Sequence, residues 1–209
     1  MSSENNQILA AIVILFVIIS FGPVINQNYS QLPLFALFSL IIILTAVGSK
    51  KLSGHLLDAE VEHEIWRLKH YGFWEHQHFR KAKPVGIIFP LLFSIISLGL
   101  VKFSAILTFE PKASKHRAAK RHGFHSFKEL TDFHISLIAA SSTVALLALA
   151  IASYVLGFEY LAKTAIYYTF WNILPISKLD GAQIFYGNRT LYSTLGLITI
   201  LFTAFALLI

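Results

Sequence analysis

Residues 8–25 read ILAAIVILFVIISFGPVI and contain no charged side chain. A stretch of this length and composition matches the roughly 17–25 apolar residues that an α-helix needs to cross a bilayer. Further apolar runs follow at 33–48, 85–101, 133–157, 161–176 and 191–209. We therefore expect an all-α polytopic membrane protein with about five transmembrane helices and the lipid bilayer as its first partner.

The composition excludes most other classes of protein. Of the 209 residues, 56% are hydrophobic and 13% are charged, whereas a soluble domain carries about 25% charged residues. The net charge of +6 could suggest nucleic-acid binding, but no Lys or Arg precedes Lys50, and most basic residues lie at 50–83 and 112–128. Such clusters are typical of loops that flank membrane helices, so we expect no nucleic-acid partner. The absence of cysteine excludes a disulfide scaffold and a thiolate metal site.

The segment at 85–109 decides how the basic loops are arranged. Its apolar part contains Gly86, Pro90 and Gly99, and a strand-like stretch follows at 103–109. If this segment crossed the membrane, the seven basic residues of 50–83 and the six of 112–128 would lie on opposite faces. If it enters and returns, 15 of the 17 basic residues share one face, as the positive-inside rule favours. We expect a re-entrant segment at 85–109, a basic loop at 110–131, and a multi-pass cell-membrane protein with cytoplasmic basic loops.

The stretch at 55–70, HLLDAEVEHEIWRLKH, has no glycine or proline and carries a helical pattern. Its apolar positions recur at three- and four-residue spacing: Leu57, Val61, Ile65 and Leu68. Its polar positions form a second set at similar spacing: Glu60, His63, Glu64, Arg67 and His70. We expect the helix that begins in 33–48 to continue through this stretch as an amphipathic rod.

A second polar feature interrupts the apolar run near its end, at 170–181, FWNILPISKLDG. Pro175 breaks the helix there, and the carboxylate of Asp180 follows the break beside a glycine. An ionisable residue at membrane depth is a candidate for function. The alternative is a helix end with Asp180 in a solvated turn.

Five positions of this window reproduce the pattern N-x-x-P-x-x-x-L-D-G: Asn172, Pro175, Leu179, Asp180 and Gly181. The pattern resembles the signature of the site-2 protease family of intramembrane zinc metalloproteases. The resemblance implies one membrane domain, with a protease-like core at 33–190 between an N-terminal span at 1–32 and a C-terminal span at 191–209. It also implies zinc as cofactor, Asp180 as a zinc ligand, and cleavage of transmembrane segments near the cytoplasmic face.

The other half of the family's metal site, H-E-x-x-H, is absent from the chain. One alignment register places the two ligand positions on Glu60 and Glu64 and the base position on Val61. A shift of three residues restores a His-Glu pair at 63–64 but puts Arg67 at the second histidine. The candidate metal ligands are Asp180, Glu60, His63 and Glu64, and Glu64 is the candidate catalytic base.

Three interpretations of this polar face stay open. Its carboxylates and His63 bind zinc or another divalent metal together with Asp180; or Arg67 forms an ion pair with Glu64 or Asp180 in place of the metal; or the helix is solvated at the membrane surface. We therefore expect a divergent site-2 protease homologue with an altered metal site and reduced or absent proteolysis. The alternatives are an inactive pseudoprotease that binds transmembrane segments and a metal-handling membrane protein.

Overall fold

The computed structural model describes residues 4–25, 27–70, 78–114 and 130–208, and this part of the chain is mostly helical. The helices and strands follow in the order α1 Glu4–Ile25, α2 Leu32–Leu56, β1 Ala59–Ile65, β2 Leu68–His70, β3 His78–Lys83, α3 Val85–Ile96, β4 Leu107–Ala113, α4 Asp132–Val155, α5 Glu159–Asn172, α6 Asp180–Gly187 and α7 Arg189–Leu208. Most of the basic loop predicted at 110–131 lies outside the described residues.

Four of these helices, α1, α2, α4 and α7, are long and apolar enough to cross a membrane. They coincide with the apolar runs that predicted them, so the expectation of a helical membrane protein is confirmed at this level. The expectation of an all-α fold is incomplete, because β1 pairs with β4 and β2 pairs with β3 in two small antiparallel sheets.

The helices α4 and α7 run side by side in the same direction. Where α6 ends, two residues before α7 begins, a Cβ atom on Gly187 would lie 2.2 Å from the carbonyl oxygen of Asp132, the first residue of α4. At their ends, the rings of Tyr154 and Phe205 are 5.6 Å apart between centroids. Two parallel helices need a connection that runs back along them, and α5, about 21 Å long at 1.5 Å per residue, provides most of it.

The helix predicted through 55–70 is wrong. The helix α2 ends at Leu56, Asp58 has a positive φ of 53°, and the chain turns into β1. Along β1 the side chains of Ala59, Val61 and His63 are buried while those between them face outward, which is the alternation of a strand. The prediction failed because residues spaced by four lie on the same face of a strand, whose period is two, as well as on the same face of a helix, whose period is 3.6.

The pairing of β1 with β4 returns the chain to its starting side. Ala59 lies opposite Ala113 at one end of the ladder, and Ile65 lies opposite Leu107 at the other. The chain therefore leaves this sheet after Ile65 and returns to it at Leu107, at the same end of the ladder. The segment between these residues contains α3, which has only 12 residues. The strand expected at 103–109 is present but shifted, since β4 begins at Leu107.

The main core lies where α1, α2, α4 and α5 meet, and the inner ends of the sheet strands join it. Ile106 and Leu107 are fully buried among residues of these helices, including Ile19, Ile42 and Leu146. A strand end inside a helix bundle brings β1 and β4 close to the polar residues of α2 and α6, where the candidate site lies.

Candidate functional site

The motif at 172–181 forms the junction between α5 and α6. The side chain of Asn172 turns back and donates a hydrogen bond of 2.8 Å to the carbonyl oxygen of Tyr168, and α5 ends at this residue. Pro175, which has no N–H to continue a helix, lies in the exposed turn that follows. The asparagine and the proline thus end α5 inside the protein.

Leu179 and Gly181 hold the start of α6 against this turn. Leu179 is buried with 1% exposure, so the chain re-enters the protein immediately before Asp180. A Cβ atom on Gly181 would lie 1.8 Å from the carbonyl oxygen of Ile173, a distance that no side chain allows. Only glycine permits this contact, and the contact directs Asp180 into the bundle.

The carboxylate of Asp180 has two polar partners from two other helices. Its Oδ1 atom is 2.7 Å from Nζ of Lys50 on α2, and its Oδ2 atom accepts a hydrogen bond of 2.8 Å from the hydroxyl of Ser142 on α4. The side chains of Lys50 and Asp180 are each 4% exposed. Both carboxylate oxygens are therefore engaged in a buried ion pair that joins α2, α4 and α6.

Further contacts surround the ammonium group of Lys50. Its Nζ atom lies 4.8 Å from the ring centroid of Phe109 on β4, within the range of a cation–π interaction. One turn further along α2, the hydroxyls of Ser53 and Ser141 are 2.9 Å apart and join α2 to α4. The ion pair thus sits where three helices and the inner sheet meet.

The residues predicted on the polar face do not surround Asp180. Glu60 and Arg67 are exposed, and Glu64 is half-buried on β1, with its backbone carbonyl near the hydroxyl of Thr108. Asp180 does form an ion pair, but with Lys50. The prediction that Arg67 is the cation beside Asp180 is wrong. The strand places Glu60 and Glu64 on the face opposite to His63.

His63 is buried beside this site and is held by Glu4 from the first turn of α1. Its backbone N–H and its Nδ1 atom lie 3.2 and 3.1 Å from the same carboxylate oxygen of Glu4. Its Nε2 atom is buried and has no hydrogen-bond partner within the described parts of the chain. Burial, with the positive charges of Lys50 and Lys51, lowers the pKa of His63 to about 4, although Glu4 opposes the shift. The imidazole is therefore neutral at pH 7.

Lys50 is the site residue that sequence reasoning missed. In the sequence, Lys50 and Lys51 belong to the basic cluster at 50–83, which predicts a loop that flanks the membrane. The detectable signal was helical spacing: Lys50 follows Ile43, Ala46 and Val47 by seven, four and three residues, and these three positions form the buried stripe of α2. Lys51 falls off that stripe and is exposed.

A groove opens next to the ion pair. It has a volume of about 440 Å³ and lies between β4, the beginning of α4, the turn before α6, and α6 itself. Phe109 forms part of its wall, and the ammonium group of Lys50 lies over the ring of Phe109. One aromatic side chain therefore separates the groove from the ion pair. Gln183 also lines it, and its Oε1 atom is buried without a hydrogen-bond partner in the described residues.

The carboxylate of Asp180 is surrounded by an ammonium group and a hydroxyl group, and not by the further carboxylates and imidazoles that would hold a metal ion. No group of three His, Asp or Glu side chains that could hold a metal ion occurs among the residues that the structure describes. No protein-family model, curated protein or solved structure matches this chain, so its geometry carries the functional argument.

Proposed function

We propose that this chain is a divergent site-2 protease-like membrane protein that binds transmembrane segments without cleaving them. The observation that carries the proposal is the ion pair of Lys50 and Asp180. The motif at 172–181 suggests that Asp180 occupies the position of a family metal ligand. A lysine ammonium then supplies, at that carboxylate, the positive charge that a metal would supply in an active relative.

The path of the chain supports five crossings and one re-entrant segment. Four helices are long enough to span, and α5 returns the chain between the parallel helices α4 and α7. The ends of α2 and β4 share one side, which also carries the basic residues Lys51, Lys112 and Lys178. By the positive-inside rule that side is cytoplasmic, in a multi-pass protein of the cell membrane.

A zinc ion does not fit the residues present. A metal at Asp180 would meet the ammonium of Lys50, held 2.7 Å from the carboxylate, and two cations on one carboxylate repel each other. The remaining candidates lie elsewhere: Glu60 is exposed, and His63 is bonded to Glu4 through Nδ1. Asp180 would be left without the three or four protein ligands that zinc requires.

Hydrolysis of a peptide bond needs an activated water, and the described site offers no means to activate one. Without a metal, the water keeps its high pKa, so a positioned general base would have to abstract its proton. The carboxylate of Asp180 is engaged by Lys50 and Ser142, and Glu64 belongs to the sheet. We therefore derive no hydrolytic step for this site.

Binding of a membrane segment requires neither a metal ion nor a general base. The groove beside β4 and α6 opens next to the ion pair, and β4 has β1 as its only neighbour among the described strands. The outer edge of β4 is partly covered, because Nε2 of Gln183 donates a hydrogen bond of 3.2 Å to the carbonyl oxygen of Phe109 and Pro111 has no N–H to offer. A segment would therefore bind in the groove itself, with the unpartnered Oε1 of Gln183 as an acceptor. These features support a segment-binding role at the position where the family would place its substrate.

One observation favours a second candidate, a metal-dependent enzyme with a rearranged site. The Nε2 atom of His63 is buried and unpartnered in the described chain, and a neutral imidazole nitrogen is a good metal ligand. If Lys50 moved away, His63 and Asp180 would be the obvious pair of donors, with a third donor still to be supplied.

The deciding experiment measures metal content and cleavage together. Purified full-length protein should contain far less than one equivalent of zinc, manganese or iron, before and after incubation with each metal. It should leave a fluorescent transmembrane peptide in nanodiscs intact while binding it. The double variant Lys50→Met/Asp180→Leu, which removes both charges, should bind the peptide as the natural protein does. Stoichiometric metal together with cleavage that Asp180→Asn abolishes would overturn the proposal.

A further inference from the structure

A short hairpin with a high positive charge follows β1. It is formed by β2 and β3, and residues 67–83 contain five lysine or arginine residues and one acid, Glu75, which gives this segment a net charge of +4. Four of its basic side chains are exposed: Arg67, Lys69, Lys81 and Lys83. We call residues 67–83 the basic hairpin.

The four exposed cations have no acidic partner nearby. None of them forms an ion pair with a residue that the structure describes. The described acid closest to them in the sequence is Glu64, which is half-buried on β1. The next acids on the sheet, Glu62 and Glu110, are already paired with other lysines. One half-buried carboxylate does not balance four exposed cations, so the basic hairpin keeps an excess of positive charge.

The base of the basic hairpin lies at the level where α1 enters its apolar stretch. The N–H of Ile65 donates a hydrogen bond of 2.8 Å to Oε1 of Gln7, which directly precedes the uncharged stretch at 8–25. The N–H of Gly86 donates a hydrogen bond of 2.9 Å to the carbonyl oxygen of Trp66, so the two ends of the hairpin meet beside Ile65. Because α1 is long and apolar enough to span a membrane, we expect this level to be the boundary between lipid headgroups and hydrocarbon.

The helix α3 extends from this level along α1 into the apolar layer. Just beyond its end, a Cβ atom on Gly99 would lie 3.0 Å from the backbone nitrogen of Gly22. Gly22 follows Gln7 by 15 residues, which is about 22 Å of helix at 1.5 Å per residue. On α3 the side chains of Ile88 and Ile96 are 45% and 72% exposed. The chain thus places exposed cations at one level and exposed apolar side chains directly beyond them, in the same order as the headgroups and acyl chains of a lipid leaflet.

From these observations we propose that the basic hairpin binds the phosphate groups of anionic phospholipids in the leaflet that α3 enters. Clusters of lysine and arginine beside a membrane segment attract anionic lipids. A zwitterionic headgroup carries no net charge and gains less from the excess positive charge of the hairpin. We therefore expect a preference for anionic over zwitterionic lipid at this position, and not lipid contact alone.

The test uses the absence of cysteine from the natural chain. An Ala82→Cys variant of the full-length protein carries a fluorophore at one exposed position between Lys81 and Lys83. It is reconstituted into phosphatidylcholine vesicles with a small fraction of quencher lipid, labelled near the start of the acyl chain and carrying a phosphatidylglycerol or a phosphatidylcholine headgroup. The phosphatidylglycerol form should quench the fluorophore more strongly, and high salt should weaken this preference. On this background, Lys81→Gln and Lys83→Gln should each lower the preference by up to about fivefold, the usual attraction of one lysine near an anionic headgroup.

Two further variants separate the hairpin from general effects. Arg67→Gln/Lys69→Gln removes charge from the chain around β2 without changing the residues beside the label, and it should lower the preference as well. Lys163→Gln is the matched control, because it removes one positive charge from α5 near the end of α4 and should leave the preference unchanged. Equal quenching by the two lipids, or a preference that none of the hairpin substitutions lowers, would overturn the proposal. Quenching by neither lipid would place the hairpin away from the membrane and would also overturn it.

Discussion

Two ion pairs of this protein have nearly the same geometry and opposite surroundings. The Nζ atom of Lys50 is 2.7 Å from Asp180, and both side chains are 4% exposed. The Nζ atom of Lys112 is 2.5 Å from Glu62, and these side chains are 55% and 52% exposed. Water stabilises each charge of the second pair separately, whereas each charge of the first pair depends on its partner. We therefore expect burial, and not distance, to decide what each pair contributes to stability.

The two pairs also differ in what they connect. Lys112 and Glu62 lie on β4 and β1, which are already joined by backbone hydrogen bonds, and Glu62 lies directly opposite Glu110. Lys178, 2.6 Å from Glu110, offsets this repulsion and lowers the pKa of Glu110. The buried pair instead joins α2 to α6 across 130 positions of the sequence, so its loss affects the packing of whole helices.

Removal of one buried partner should have the largest effect. Lys50→Met leaves the carboxylate of Asp180 buried with Ser142 as its remaining polar partner, and an uncompensated buried charge typically costs about 3–5 kcal/mol. The measurement is the unfolding free energy of purified protein in detergent. The double variant Lys50→Met/Asp180→Leu should recover most of the loss. Lys51→Met, which removes a 44% exposed lysine, should change stability by less than about 1 kcal/mol; equal losses for Lys50→Met and Lys51→Met would contradict the comparison.

The second prediction concerns pH. The pKa of His63 is about 4 in the folded protein and 6.5 as a free side chain. Between these values the unfolded chain binds more protons, so stability falls as the pH drops from about 7 toward 4 and this contribution levels off below 4. The total loss for such a shift is up to about 3 kcal/mol. Unfolding measured across this range should show the dependence in the natural protein.

His63→Gln is the control for this dependence. Glutamine can still donate a hydrogen bond to Glu4 but does not titrate. Acidic groups that lose their charge below pH 5 affect both proteins, so the difference between the two stability curves isolates the imidazole. Parallel curves from pH 7 to 4 would show that His63 becomes protonated inside the folded protein at little cost.

The third prediction tests the contact that directs Asp180 inward. Gly181→Ala places a Cβ atom 1.8 Å from the carbonyl oxygen of Ile173, so α6 must shift, at a cost of about 1–3 kcal/mol for overpacking. Gly196→Ala is the matched control, because a Cβ atom there meets nothing within 4 Å, and in a helix it should stabilise by roughly 0.5–1 kcal/mol. Opposite signs in the same unfolding assay are expected. A neutral Gly181→Ala would mean that the junction is not tightly packed.

The features that depend on neighbouring residues were predictable from the sequence. Apolar runs predicted α1, α2, α4 and α7, because a membrane helix is defined by length and composition. Pro175 predicted the helix break before Asp180, whereas the burial of Asp180 was one of two alternatives that the sequence left open. The stretch at 55–70 misled because Val61 and Ile65 are spaced by four residues, which satisfies both periods, and local pattern does not contain the pairing with β4.

Contacts between residues that are far apart in the sequence could not be predicted from it. The partner of Asp180 is separated from it by 130 positions, and the cation that the sequence analysis considers for Asp180 is Arg67, not Lys50. The buried stripe of α2 contained Lys50 at the expected helical spacing, yet a lysine at the end of an apolar run usually flanks the membrane. Which of two adjacent lysines turns inward is decided by Asp180, Ser142 and Phe109.

The smallest effect is expected at the exposed pair. Lys112→Met should leave the unfolding free energy almost unchanged, since both partners are solvated. Glu62 and Glu110 both raise the pKa of Lys112, so the charge of Lys112 interacts favourably with both acids. Any loss of stability should therefore come from the repulsion between Glu62 and Glu110, which Lys112 helps to offset. Salt screens exposed charges, so the loss should vanish at high ionic strength, whereas that of Lys50→Met should persist. A loss at Lys112 as large as that at Lys50 would show that the sheet, and not the buried pair, holds the site together.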